Sequence, residues 1–126
     1  MNRSSPDRGS ASIWVLACCA LLLTVAFAST LRASAVVARH RAEAAADLAA
    51  LAAAGQIGVS NGICAAAERI AAANGATVRH CVPVLAASGR SGTVTVWLAL
   101  RVRLPIVGAR DVLASARAGR DPVVAP

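Results

Sequence analysis

The sequence has no lysine and no tyrosine, one phenylalanine (Phe27) and two tryptophans (Trp14, Trp97). A chain so poor in rings offers no platform for single-stranded nucleic acid, which needs successive stacking side chains. Acidic residues and histidines are also scarce: six Asp+Glu and two His are scattered over 126 residues. No G-x-G-x-x-G, P-loop, H-E-x-x-H or G-x-S-x-G pattern occurs, and no Ser/His/Asp spacing marks a triad. Glu43, Asp47 and Glu68 read as helix-surface charges, and His40 and His80 as solvated or structural side chains. The expectation is a non-enzymatic protein with no cofactor, no metal and no small-molecule substrate. The 13 basic residues, all Arg, give a net charge of +7. They are dispersed rather than clustered, so nucleic acid is not an expected partner either. An apolar fraction of 57% excludes an intrinsically disordered chain.

The apolar weight is concentrated near the start. Gly9–Leu31 runs for 23 residues without a charge. As a helix it spans about 35 Å, enough for a hydrocarbon core of about 30 Å. A small soluble domain cannot hide a helix that is apolar all round. Membrane lipid is therefore the expected partner of residues 10–31, with 1–9 as a cytoplasmic leader. A secretory signal is the competing reading. Its apolar stretch is Ile13–Phe27, and Ala26-Phe27-Ala28 fits the small-x-small rule for cleavage before Ser29. That route releases a secreted soluble protein. The flanking arginines, Arg3 and Arg8 before and Arg32, Arg39 and Arg41 after, do not fix the orientation.

Helix formers continue beyond the apolar run. No Pro or Gly interrupts Ser10–Ala54, and Gly55 is a natural stop. Residues 32–55 read as an extension of the same helix. Arg39, Glu43 and Asp47 share one face, and Val37, Ala44, Leu48 and Leu51 share another. That second stripe packs either on the chain's own domain or on other helices, since small side chains let backbones approach closely.

A small α+β head is expected over residues 56–118. Ser60 or Asn61 is placed to cap a short helix, Ile63–Ala73, ending at Asn74-Gly75. Thr77–Leu85 reads as a strand confined to an edge by Pro83. Thr93–Leu104 alternates strictly. Val94, Val96, Leu98, Leu100, Val102 and Leu104 lie on one face, and Trp97, Arg101 and Arg103 on the other. Asp111–Ala118 alternates as a third strand, although its alanine content also allows a helix. The sheet is thus two- to three-stranded and antiparallel, and residues 119–126 read as a flexible tail. Trp97, Arg101 and Arg103 form the local patch fitted to an anionic partner.

Cys18 and Cys19 read as small residues of the apolar segment. Cys64 and Cys81 are positioned to close a loop, and a disulfide there indicates a compartment outside the cytoplasm. The alternative for this pair is a metal site with His80, for which His40 is the one remaining, distant ligand.

Three stretches together resemble the TadE/TadG-like pilus-assembly family, nearest its small actinobacterial TadE-like branch. They are Asp7-Arg8-Gly9-Ser10-Ala11-Ser12, then Arg39–Gly55 (RHRAEAAADLAALAAAG), then the alternating strand followed by Ala116-Arg117-Ala118-Gly119. The resemblance implies a single-pass membrane protein with an exported C-terminal domain. It implies a minor pseudopilin or accessory subunit of a Flp/Tad-type pilus or secretion apparatus. Partners would be other pilin-like or TadE-like subunits and the membrane platform. It also implies peptidase cleavage after Gly9, leaving Ser10 first. The family's glutamate at mature position five is replaced here by Trp14.

Overall fold

The computed structural model describes residues 8–122. It contains helix α1 (Arg8–Gly55), helix α2 (Ile63–Ala73) and strands β1 (Ala76–Leu85), β2 (Gly92–Leu104) and β3 (Gly108–Arg120). The chain divides into two compact units, Met1–Ser34 and Ala35–Pro126.

In the first unit the helix is unbroken through Ala28 and Ser29. Ile13, Trp14, Leu16, Leu21, Leu22, Leu23 and Phe27 are all exposed. The hydroxyls of Thr24, Ser29, Thr30 and Ser34 donate to the carbonyls of Leu21, Val25, Phe27 and Leu31 at 2.7–2.8 Å. These four hydroxyls are thereby satisfied within their own helix.

In the second unit the three strands form an antiparallel sheet of order β1-β2-β3. Leu100 pairs with Ala76 on one side and Val112 on the other. The alternation of β2 is realised in part: Val94, Val96, Leu98 and Leu100 are buried and Trp97, Arg101 and Arg103 are exposed, but Ala99 on the outer face is also buried and Val102 and Leu104 are only half-buried. The core gathers these side chains, Ala42, Ala45, Ala46, Ala49, Ala50 and Ala53 of α1, Ile57, and Ile63, Ala67 and Ala71 of α2. The helices contribute mostly methyl groups. The largest fully buried side chains are Ile57, Leu98, Val94 and Val96. A core of small residues leaves no room for larger ones, and each added methylene group forces backbone or rotamer shifts.

The third strand forms, and it runs longer than the alternating stretch Asp111–Ala118. Cross-strand pairing continues to Gly119↔Thr93 and Arg120↔Gly92, so these two residues belong to the sheet and not to a tail. The physical cause is at the end of the strand. The Arg120 guanidinium donates to the carbonyl oxygens of Ile57 at 2.7 Å and Gly55 at 3.4 Å. A cation at a helix C-terminus satisfies carbonyls that have no partner within the helix. Residues 123–126 of the expected tail, like residues 1–7 of the expected leader, lie outside the described residues.

Helix α2 ends where expected, with Asn74 at its C-terminus and Gly75 at φ +72°. Its start differs. Gly62 occupies the N-cap position and no side chain caps the helix. Ser60 is already engaged: its Oγ donates to Gln56 Oε1 at 2.9 Å and accepts from the Gly62 N–H at 3.2 Å.

Two turns carry unusual backbone. Gly92, at φ +152°, has Val84 and Leu85 backbone atoms where a Cβ would sit, so only glycine fits there. Ile106 lies between β2 and β3 at φ +76°. The Val107 N–H donates to the Pro105 carbonyl at 2.9 Å, closing a γ-turn of the strained sign. For a β-branched residue this conformation costs about 1–3 kcal/mol.

Candidate functional site

The described residues hold no group of three or more His, Cys, Asp or Glu side chains arranged for a metal ion. The functional candidates are surfaces, and each begins from one element.

The first is α1 itself. Residues within it form a helix long and apolar enough to cross a membrane. No residue of the apolar window is buried in the chain's own fold. Gly9 and Ser10 are exposed in its first turn.

The second candidate is the helix face of Val37, Ala44, Leu48 and Leu51. The structure decides what packs on the chain's own domain. Ala38, Ala42, Ala45, Ala46, Ala49, Ala50 and Ala53 turn inward, whereas Val37, Ala44, Leu48 and Leu51 are exposed. At 100° per residue the two sets lie on opposite sides of the helix. The predicted stripe is therefore free of the intramolecular core. Between the two faces, Arg39 Nε donates to Glu43 Oε1 at 2.9 Å, and His40 Nδ1 lies 3.4 Å from Glu43 Oε2. The Arg39 hydrogen bond, assisted by the nearby positive charges, holds the Glu43 carboxyl below its ordinary pKa.

Cys64 and Cys81 are joined in a disulfide, with their Cα atoms 5.9 Å apart. The bond ties α2 to β1 and rules out the metal alternative. Both thiols are consumed, and His80 pairs across the sheet with Trp97 on the opposite face from Cys81, which pairs with buried Val96.

The third candidate is the outer sheet face. A β-bulge between Val78 and His80 leaves Arg79 unpaired and puts Arg79 and His80 side by side on the surface. Bulges re-aim side chains in this way. The rings of His80 and Trp97 meet edge-on at 6.4 Å. They line a cavity of about 590 Å³ together with Arg39, Glu43, Arg79 and Leu113. Both guanidinium groups there already have acids: Arg39 has Glu43 at 2.9 Å and Arg79 has Asp111 at 3.4 Å. Arg101 and Arg103 share the face with Trp97 but lie farther along β2, about 13 and 20 Å away by strand rise. They stand opposite Asp111 and Ala109, nearer the Ile106 turn. Trp97 thus belongs to the cavity, and the two arginines belong to the far end of the hairpin.

The bulge, the Arg120 clamp and the Ile106 turn were not visible to sequence reasoning. Gly108 after Pro105 marks a turn but does not indicate which residue takes the strained conformation. The destination of Arg120 is 63 residues away.

Residues 9–56 match the model of the Tad family, described as putative Flp pilus-assembly TadE/G-like. The match begins one residue inside α1 and ends one residue past it; it names the family and no branch of it. The sequence stretch Arg39–Gly55 lies inside the match, and Ala116–Gly119 lies outside it. No curated protein and no solved structure matches the chain.

Proposed function

We propose that this TadE/G-like chain is a non-enzymatic accessory membrane subunit, a minor pseudopilin, of a Flp/Tad-type pilus or secretion apparatus. One observation carries the reading. Nearly all the residues that match the pilus-assembly family lie in a single helix, and the large apolar side chains from Ile13 to Phe27 are all exposed. Ser10–Leu31 is the membrane anchor in this account. A helix with no charge over this length suits lipid, because its interior backbone groups and the hydroxyls of Thr24, Ser29 and Thr30 are bonded within it.

Val37, Ala44, Leu48 and Leu51 are the face offered to the helices of other TadE-like or pilin-like subunits. Their exposure, and the use of the opposite alanine face by the chain's own core, supports this role. The head works extracytoplasmically. The Cys64–Cys81 bond supports that side of the membrane, because disulfides persist in oxidising compartments. Processing after Gly9 gives a mature chain beginning at Ser10. With Trp14 at the fifth mature position, the apolar helix enters a bundle without a buried carboxylate.

Membrane fractionation with N-terminal sequencing tests the proposal. Recovery in the membrane fraction with Ser10 first supports a processed pseudopilin, and recovery there with Met1 first supports an uncleaved accessory subunit. Recovery in the culture supernatant with Ser29 first overturns the anchored reading.

A further inference from the structure

The turn between β2 and β3 is built against its own backbone preference. Ile106 is 76% exposed at φ +76°, and the adjoining Val107 is 53% exposed. Glycine takes this conformation without strain. The chain instead holds Pro105, Ile106 and Val107 exposed at a tip that no other described residue covers.

Arginines lie on both strands that lead to the tip. Arg101 and Arg103 on β2 and Arg110 on β3 are all exposed, and none has a hydrogen bond or ion pair among the described residues. Asp111, the one acid nearby, is engaged by Arg79 at 3.4 Å. The opposite end of the hairpin is tied down by Arg120 on the Gly55 and Ile57 carbonyls. The tip therefore lies at the far end of the second unit from that loop, about 40 Å along the strands.

An apolar point with unpaired guanidinium groups along the two strands behind it is complementary to one kind of surface. The boundary of the acyl chains accepts the apolar tip, and anionic head groups accept the cations. An acidic protein surface would match the arginines but leave Ile106 and Val107 without an apolar counterpart. We propose that Pro105-Ile106-Val107 inserts into the interface of an anionic bilayer, with Arg101, Arg103 and Arg110 on the head groups. This is a second membrane contact, distinct from the helical anchor, and it rests on the membrane-anchored reading above.

The test is hydrogen exchange of residues 104–110 in the full chain. The chain is incorporated into nanodiscs of phosphatidylcholine alone, or of an equal mixture of phosphatidylcholine and phosphatidylglycerol. Exchange should be slowest in the mixed discs. Ile106→Gly should abolish the slowing while raising thermal stability, because it relaxes the turn. This separates lost docking from lost folding. Each of Arg101→Ala and Arg103→Ala should shrink the exchange-rate ratio between the two discs by roughly fivefold. A chain that stays in the discs yet exchanges equally in both lipids overturns the tip alone. Slowing that instead rises with protein concentration in detergent means a second copy covers the tip, and also overturns it. A chain that elutes free of the discs overturns the anchor and the tip together.

Discussion

The two halves of α1 have the same backbone and opposite surroundings. Up to Ser34 the helix shows large apolar side chains on every side and buries none. From Ala35 onward it buries a stripe of alanines and carries Arg39, Glu43 and Asp47 on its exposed surface. Helix propensity is high in both halves, so it does not separate them. The separation comes from which side chains the rest of the fold covers and which it leaves exposed. A methyl-only face lets the sheet and α2 approach closely, whereas no large apolar side chain of the earlier half is buried.

Substitutions that exchange these surroundings should have the largest effects. Leu22→Arg places a charge near the middle of the apolar segment, at a cost of about 3–4 kcal/mol for insertion. The variant should shift from the membrane pellet to the aggregated or soluble fraction. In the head, replacing both Cys64 and Cys81 with Ser removes the α2–β1 tie. The loop-entropy model gives a loss of about 3 kcal/mol. Denaturant unfolding should show it, with membrane association unchanged.

The comparison sharpens within the second half. Ala49→Leu puts three extra carbon atoms into a fully buried site and should destabilise the head by about 1–3 kcal/mol. Ala44→Leu, five residues earlier on the exposed side, should change stability by less than about 0.5 kcal/mol. Equal losses would contradict the assignment of the two faces.

The smallest effect is electrostatic. The Glu43 pKa is lowered, chiefly by the Arg39 hydrogen bond. A depressed carboxylate contributes stability above its unfolded pKa and loses it as pH falls through the folded value. The Arg39–Glu43 contribution should thus fade only in acid, below the ordinary carboxylate range. An NMR titration of Glu43 should move upward in Arg39→Ala. On so exposed a pair the change in overall stability should be close to the limit of detection.

The sequence was most readable where a single period governs a long stretch. The uninterrupted helix to Gly55 and the alternation of β2 both follow from local pattern. The pairing of Cys64 with Cys81 was legible because the chain has no other cysteines outside the apolar run. Asp111–Ala118 was ambiguous because alanine suits a helix, and cross-strand pairing with β2 resolves it. Features that depend on distant partners were not legible. The Arg120 clamp needs the carbonyls left open at the end of α1, and the exposure of Val37, Ala44, Leu48 and Leu51 depends on which helix side the sheet selects. The tip at Ile106 was hidden for another reason. Its strain is a backbone property, and Ile is the residue type least expected to carry it.

The account depends on the apolar half of α1 residing in lipid while the disulfide-tied head stands outside the cell interior. Ser115 lies exposed on the outer sheet face, so Ser115→Cys provides a reporter thiol away from the bond and the core. A membrane-impermeant maleimide applied to intact cells should label this variant, and the labelled protein should remain in alkali-washed membranes. Labelling that requires cell lysis, or release of the protein into the alkaline supernatant, would contradict the account.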